Sequence, residues 1–309
     1  MSQDDPCLVV IVGPTGVGKT ALAVDLAQAL HGEIVSADSR QVYRYMNIGT
    51  AKPTLKERSQ VRHHLVDIID PDEDFGLATF QALAYDAIET ISNQARLPFL
   101  VGGTGQYVRA VVEGWRIPRV LPDEALRARL YEQADQNGYQ ALYQDLLALD
   151  PAAEQLIDAR NVRRVVRALE VCLKSGRPFS EQRGKAPPPY RIVQIGLTMA
   201  REALYDRIDA RIEGMIAAGL VQEIEGLLAK GYAWTLPSMS SLGYIQLKGA
   251  LDETASLDEC VAAIKKETRR FIRQQYNWFR LSDPRIRWFD AGDSPVCKVL
   301  SWLHAQPLF

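Results

Sequence analysis

The apolar positions fall into two regimes along the chain. In the first hundred residues, short unbroken apolar runs alternate with stretches of helical spacing. Leu8–Val12 (LVVIV) is such a run, as a parallel strand buried on both faces requires. A glycine loop follows, then the helical pattern TALAVDLAQAL, which ends at His31 and Gly32. Glu33–Ser36 (EIVS) predicts a second strand and Pro98–Val101 (PFLV) a third. Between them Thr79–Asn93 carries Phe80, Leu83, Ala84, Ala87, Ile88 and Ile91 at helical spacing, and GGTGQY leads into a further helix through Val112. This alternation predicts a three-layer α/β core around a parallel sheet. The stretch from Ala51 to Gly76 is too long for an ordinary connection, so it is expected to be functional or partly structured.

From about Arg116 to Tyr190 the strand signal disappears and helical patterns follow one another (EALRARLYEQA, YQALYQDLLAL, NVRRVVRALEVCLKSG), closed by Pro187, Pro188 and Pro189. Ile192–Leu197 (IVQIGL) is again strand-like. The organisation expected is therefore a core from residues 1–115 and 192–309, interrupted by an all-helical insertion at 116–191. Beyond it, Leu204–Ala229 predicts one long helix with a narrow apolar stripe (Leu204, Ile208, Ile212, Ile216, Leu220, Ile224, Leu227), and about Asp258–Arg280 predicts another.

Composition narrows the class. The chain has 309 residues, enough for about two domains, with 47% hydrophobic and 24% charged residues, which excludes a disordered or collagen-like chain. No apolar stretch approaches the ~18–20 residues that cross a bilayer, and MSQDDPCLVVIVG lacks the basic start of a signal peptide. The four cysteines, Cys7, Cys172, Cys260 and Cys297, are scattered, so neither a disulfide framework nor a zinc site is expected and the cytoplasm is the expected compartment. His63 and His64 lack the partners that a metal site needs.

Charge is informative through its distribution. The net value is −2, yet Arg160–Arg191 holds nine bases against two acids and Lys265–Arg280 six bases against one. Two basic surfaces of this kind suit a polyanion, the alternative being solvated helix faces. The strongest motif is Gly13, Pro14, Thr15, Gly16, Val17, Gly18, Lys19, Thr20, a complete G-x-x-x-x-G-K-[ST] between a strand and a helix. Its glycines allow backbone N–H groups to turn toward phosphate oxygens, Lys19 supplies a point charge, and the Thr20 hydroxyl suits Mg²⁺. A diphosphate or a nucleotide such as ATP is the expected ligand. Asp38 follows the second strand and should face the crevice at the carboxyl end of the sheet, either as a general base or as a turn cap. Gly102, Gly103, Thr104 and Gly105 should line the same crevice, or form a plain turn.

These residues, GPTGVGKT, ADSRQVYRYMNIGTAKP, HHLVDIIDP, VGGTGQY, RALEV and TRRFIRQQYNWFR, resemble the bacterial tRNA dimethylallyltransferases (tRNA isopentenyltransferases) in order and spacing over essentially the whole chain. The resemblance implies transfer of a dimethylallyl group from dimethylallyl diphosphate to N6 of the adenine 3′ of the anticodon. It implies that the glycine loop, with Mg²⁺ on Thr20, holds the leaving diphosphate and that Lys19, Asp38 and Thr104 are catalytic, Asp38 as base. It also implies that Arg207 and Arg211 lie near the diphosphate. The tRNA-contacting segments would be Asp38, Ser39, Arg40 and Gln41; Thr104; Arg127; Arg163, Arg164, Val165, Val166 and Arg167; and Ser240–Ile245. Lys265, Arg269 and Arg273, in the second basic cluster, would grip the same RNA. Phe271, Tyr276, Trp278 and Phe279 read as core rather than stacking platforms. A monomer is expected.

One block departs from the pattern. Ser240 and Ile245 stand where the family usually carries basic residues, which puts RNA affinity there in doubt. The rival reading is a P-loop kinase acting on a small metabolite or nucleotide, which leaves the basic insertion unexplained. A non-catalytic RNA-binding switch is a third reading, and it does not require a strand-end acid beside the glycine loop.

Overall fold

The structure is a computed structural model, described over residues 6–292 and 295–306. The chain runs β1 (Cys7–Val12), α1 (Lys19–Ala29), β2 (Gly32–Ser36), α2 (Leu55–Gln60), β3 (His63–His64), α3 (Leu77–Asn93), β4 (Leu97–Val101) and α4 (Gly105–Val112). It continues through β5 (Trp115–Arg116), α5 (Glu124–Asn137), α6 (Tyr139–Leu149), α7 (Val162–Ser175) and β6 (Gly184–Lys185). It closes with β7 (Arg191–Thr198), α8 (Arg201–Ala217), α9 (Leu220–Ala229), α10 (Tyr244–Leu251), α11 (Leu257–Trp278), β8 (Ile286–Asp290) and α12 (Pro295–His304).

Two compact units emerge: one from Met1–Val112 and Pro189–Phe309, the other from Glu113–Pro188. The first contains a six-stranded sheet in the order β3-β2-β4-β1-β7-β8, with every neighbouring pair parallel. Strand β1 is fully buried from Leu8 to Val12 because its alternate residues enter opposite layers. Val9 and Ile11 pack with α1, α8 and α9, whereas Leu8, Val10 and Val12 pack with α3 and α4. This is the three-layer α/β core that the apolar runs predict.

Three loops leave the carboxyl ends of β1, β2 and β4 side by side. Gly102 N–H donates to Ile11 O (3.2 Å), Ala37 N–H to Val101 O (2.8 Å) and Thr104 N–H to Ala37 O (3.4 Å). The fit is close enough that a Cβ on Gly102 would lie 2.1 Å from Ala37 O, so only glycine is accommodated there.

Some elements differ from the sequence expectation. The apolar stripe from Leu204 to Leu227 is divided between α8 and α9, because Gly219 is left-handed (φ 97). Ile216 accordingly is not among the buried residues of α8. The 51–76 stretch holds α2, set by a Thr54/Glu57 capping box, and β3, which pairs with β2. Strand β8 and helix α10 were not expected. In the second unit α5, α6 and α7 pack around Leu142, Leu146, Val165 and Leu169. It is not wholly helical, since β5 and β6 pair antiparallel.

Candidate active site

Gly18 ends the glycine loop with φ 105, a left-handed turn that starts α1 at Lys19. That turn aims the first helical N–H groups and the Lys19 side chain into a cavity of about 980 Å³ whose lining includes Thr15, Gly16, Gly18, Lys19, Thr20, Asp38, Gly102, Gly103, Arg207 and Arg211. Lys19 Nζ donates to Pro14 O at 2.8 Å. Burial pushes its pKa down to about 8, Asp38 opposes that shift, and Arg211 adds to it. Arg207 and Arg211 reach the same place from one face of α8. The Arg207 guanidinium lies 3.6 Å from the point that a Cβ on Gly18 would occupy. Burial lowers the Arg211 pKa, with Asp38 acting against it and Arg207 with it. Neither arginine has an ion pair among the described residues, so Lys19, Arg207 and Arg211 are three cations beside Asp38, in a cavity also lined by Lys52, Arg58, Glu57 and Asp67. An anion entering it gains from all three.

Asp38 caps its turn and also faces the cavity. Its Oδ1 accepts from Arg40 N–H (2.8 Å) and Gln41 N–H (3.4 Å), capping the turn. Its Oδ2 has no hydrogen-bond partner among the described residues, and the side chain lines the cavity. Of the four residues expected to line the crevice, Gly102 and Gly103 do and Thr104 and Gly105 are not among its lining residues; Thr104 Oγ1 instead accepts from Ser39 N–H at 3.2 Å. Gln41 is occupied in structure: its Oε1 accepts from Ser36 Oγ, and its Nε2 donates to Thr50 O and Ala51 O. Arg40 donates from Nη1 to Pro237 O (2.7 Å) and from Nη2 to Ser240 Oγ (3.4 Å). A guanidinium thus lies against Ser240.

The structure adds residues that sequence reasoning did not single out. Lys52 is buried on the cavity wall, donating to Tyr43 O (2.7 Å), Asn47 Oδ1 (3.0 Å) and Asp67 Oδ1 (2.5 Å), while Arg58 donates to Asp67 Oδ2 (2.6 Å). Burial lowers the Lys52 pKa despite Asp67. The Glu223 carboxylate collects the N–H groups of Asn47, Ile48 and Gly49 together with the Tyr244 hydroxyl at 2.6 Å, fixing the wall that carries Lys52. Lys52 lies in the quoted GTAKP block and could have been found there. Glu223 has no local signal. Among the histidines, His64 Nε2 pairs with the buried Glu33 at 2.6 Å and His63 Nδ1 faces Val61 O.

The basic clusters divide by what their charges do. In the second unit Glu170 is fully buried and held by Arg127 (2.9 Å), by Arg167 and by the Asp123 N–H (2.7 Å). Burial pushes the Glu170 carboxyl up, but Arg167, Arg127 and the Asp123 amide outweigh it and leave it below the ordinary value. Val165 and Val166 are 0% and 1% exposed; their side chains pack in the core and set the face that α7 presents. Arg163 and Arg164 are exposed and carry no ion pair among the described residues. On α11, Lys265 pairs with Glu213 and Arg269 with Asp209, both at 2.6 Å and both on α8, while Arg273 is exposed. Phe279 is buried as expected, but Phe271 and Trp278 are 40% and 37% exposed.

The donor set also fits Mg²⁺. The Thr20 hydroxyl and the Asp38 carboxylate bring hard oxygen atoms to the cavity. Few protein ligands beside phosphate oxygens is the arrangement Mg²⁺ favours.

A G-x-x-x-x-G-K-[ST] glycine loop opening a helix at the end of a parallel strand, beside a crevice lined by more cations than carboxylates, defines a three-layer α/β protein. Comparison with known proteins narrows the class. Residues 41–282 match the family model "IPP transferase" and residues 6–69 the model "Isopentenyl transferase". The chain is 56% identical over 273 residues to the tRNA dimethylallyltransferase of Roseiflexus sp. (strain RS-1), covering 88% of this chain and 90% of that one. It is 48% identical over 307 residues to that of Herpetosiphon aurantiacus, covering 99% and 97%. The crystal structure of the tRNA isopentenylpyrophosphate transferase from Bacillus halodurans superposes with a TM-score of 0.72 at 41% identity, over 98% of this chain and 96% of that one. A eukaryotic dimethylallyltransferase acting on tRNA gives 0.81 at 27% identity, over 97% and 77%. The chain belongs to the tRNA dimethylallyltransferase family.

Proposed function

We propose that this protein transfers a dimethylallyl group from dimethylallyl diphosphate to N6 of the adenine 3′ of the anticodon, releasing diphosphate. The observation that carries the reading is the free Oδ2 of Asp38 in the same cavity as the glycine loop, Lys19, Arg207 and Arg211. The loop N–H groups, Lys19 and the two arginines bind the diphosphate and take up the charge that grows on it as the allylic carbon–oxygen bond breaks. The Thr20 hydroxyl would hold Mg²⁺, which would supply further positive charge against the leaving diphosphate. The adenine amine is a weak nucleophile because its lone pair is delocalised into the ring. Asp38 Oδ2 takes one N6 proton as the new carbon–nitrogen bond forms, and Thr104 orients the amine. The base leaves its stack to enter the crevice, at a cost of a few kcal/mol that is smallest in an unpaired loop. Arg163 and Arg164 on the second unit, and Arg40 and Arg273 on the first, hold the RNA phosphates.

A monomer working on tRNA in the cytoplasm completes the proposal. No described helix is long and apolar enough to cross a membrane. Incubated with Mg²⁺, dimethylallyl diphosphate and an anticodon stem-loop with adenine next to the anticodon, the protein is expected to release diphosphate only when the stem-loop is present. ATP, which the glycine loop is also expected to accept, should compete without phosphorylating a small alcohol. Phosphoryl transfer from ATP with no change in the RNA would establish the kinase reading instead.

A further inference from the structure

The buried face of α11 is apolar at Ile264 and Ile272 but presents the amide of Gln275, which is only 3% exposed. Its two ends meet different loops of the crevice. Oε1 accepts from the N–H of Thr15 in the glycine loop at 2.8 Å, and Nε2 donates to the carbonyl of Gly103 at 3.0 Å. The contact is tight, since a Cβ on Gly103 would lie 2.4 Å from Nε2. Thr15 and Gly103 both line the cavity, and Gly103 precedes Thr104. One side chain therefore ties the loop that faces the leaving group to the loop that faces the amine. The bond to the Gly103 carbonyl is buried and that from the Thr15 N–H is half-buried, so losing the partner leaves the carbonyl at its full desolvation cost. A carboxamide is the side chain that supplies one acceptor and one donor in this geometry.

We propose that Gln275 is a positioning residue for the transfer: it fixes the separation of the two loops so that the departing diphosphate and the adenine amine stand in line. This rests on the dimethylallyl transfer reading. No atom of Gln275 is exchanged with substrate; it acts through Thr15 and Thr104. A shift of about 1 Å between reacting partners can cost ~10²-fold in rate, so the effect should appear in kcat.

Two variants separate the polar role from packing. Gln275→Glu keeps the shape and the acceptor for Thr15 but sets oxygen against the Gly103 carbonyl. Gln275→Met keeps volume and loses both bonds. Each is expected to lower kcat on the stem-loop by about 10²-fold, with KM for both substrates within about threefold of wild type and the dissociation constant for inorganic diphosphate unchanged. Combining Gln275→Met with Thr104→Ala should lower kcat no further than the slower single variant, because both act on one alignment. Ile272→Val, on the same helix face, should lower the melting temperature and leave kcat alone.

Multiplying losses in the double variant, a rise in KM at constant kcat, or an equal kcat loss in Ile272→Val would overturn the proposal, as would unchanged kcat in both Gln275 variants. Wild-type protein in the same assay separates the two levels. Absent transfer by wild type defeats the functional reading and this proposal with it, whereas normal wild-type transfer with unaffected variants defeats this proposal alone.

Discussion

Replacing Asp38 by asparagine is expected to lower kcat by about 10²–10⁴ while leaving the affinity for dimethylallyl diphosphate at neutral pH nearly unchanged. The amide keeps an oxygen for the Arg40 and Gln41 N–H groups that Asp38 Oδ1 now accepts, so the turn survives. What is lost is the anionic Oδ2 that takes the proton in the proposed mechanism. A second consequence follows from the charge. Lys19 has a pKa of about 8, lowered chiefly by burial and held up by Asp38. In the proposed mechanism donor binding needs protonated Lys19, so affinity should fall as pH rises through about 8. Without the Asp38 charge the Lys19 pKa drops, and this alkaline limb should move to lower pH. Equal loss of turnover and of donor affinity at neutral pH would mean that Asp38 is structural.

The second large effect concerns stability, and it separates two arginines from their neighbours. Arg167→Met leaves the fully buried Glu170 with Arg127 as its remaining cation. Breaking a fully buried pair costs roughly 3–5 kcal/mol; with Arg167 32% exposed and Arg127 still in place, the loss expected here is smaller, about 1–3 kcal/mol. The Glu170 pKa lies below its ordinary value, so its ion pairs stabilise the folded state above the unfolded pKa, and that contribution is lost as pH falls through the folded one. In Arg167→Met the folded pKa rises, and acid unfolding should begin at higher pH. Arg163→Ala with Arg164→Ala should do the opposite: stability within about 0.5 kcal/mol of wild type, weaker stem-loop binding, and a salt dependence reduced by about 1.5 in log–log slope. Urea titrations followed by circular dichroism, beside binding titrations at several salt concentrations, read both. An unchanged salt slope would remove Arg163 and Arg164 from the RNA interface.

The part of this architecture legible in the sequence is the part set by short-range chemistry. Five apolar residues in a row, a glycine loop and Lys19 define β1, the loop and α1 together, and Asp38 is placed by being the first acid after β2. Lys265 and Arg269 show the limit. Their positive run is visible, but Glu213 and Asp209, which pair with them, lie more than fifty residues earlier on α8, and no local pattern announces the pairing. The same holds for Gln275, which lies 260 positions from Thr15 and 172 from Gly103, and for Glu223, which braces the 47–49 loop from about 175 residues away. Gly219 divides α8 from α9 through its backbone conformation, whereas the apolar stripe continues across the break and conceals it.

The most direct measurement is the structure of the protein with Mg²⁺, an unreactive thio-analogue of dimethylallyl diphosphate and an anticodon stem-loop. The expected result is the diphosphate on the N–H groups of the Gly13–Thr20 loop between Lys19, Arg207 and Arg211, with the adenine extruded and its N6 within hydrogen-bond reach, about 2.6–3.2 Å, of Asp38 Oδ2. A diphosphate bound away from that loop, or an adenine whose N6 lies far from the Asp38 carboxylate, would contradict it.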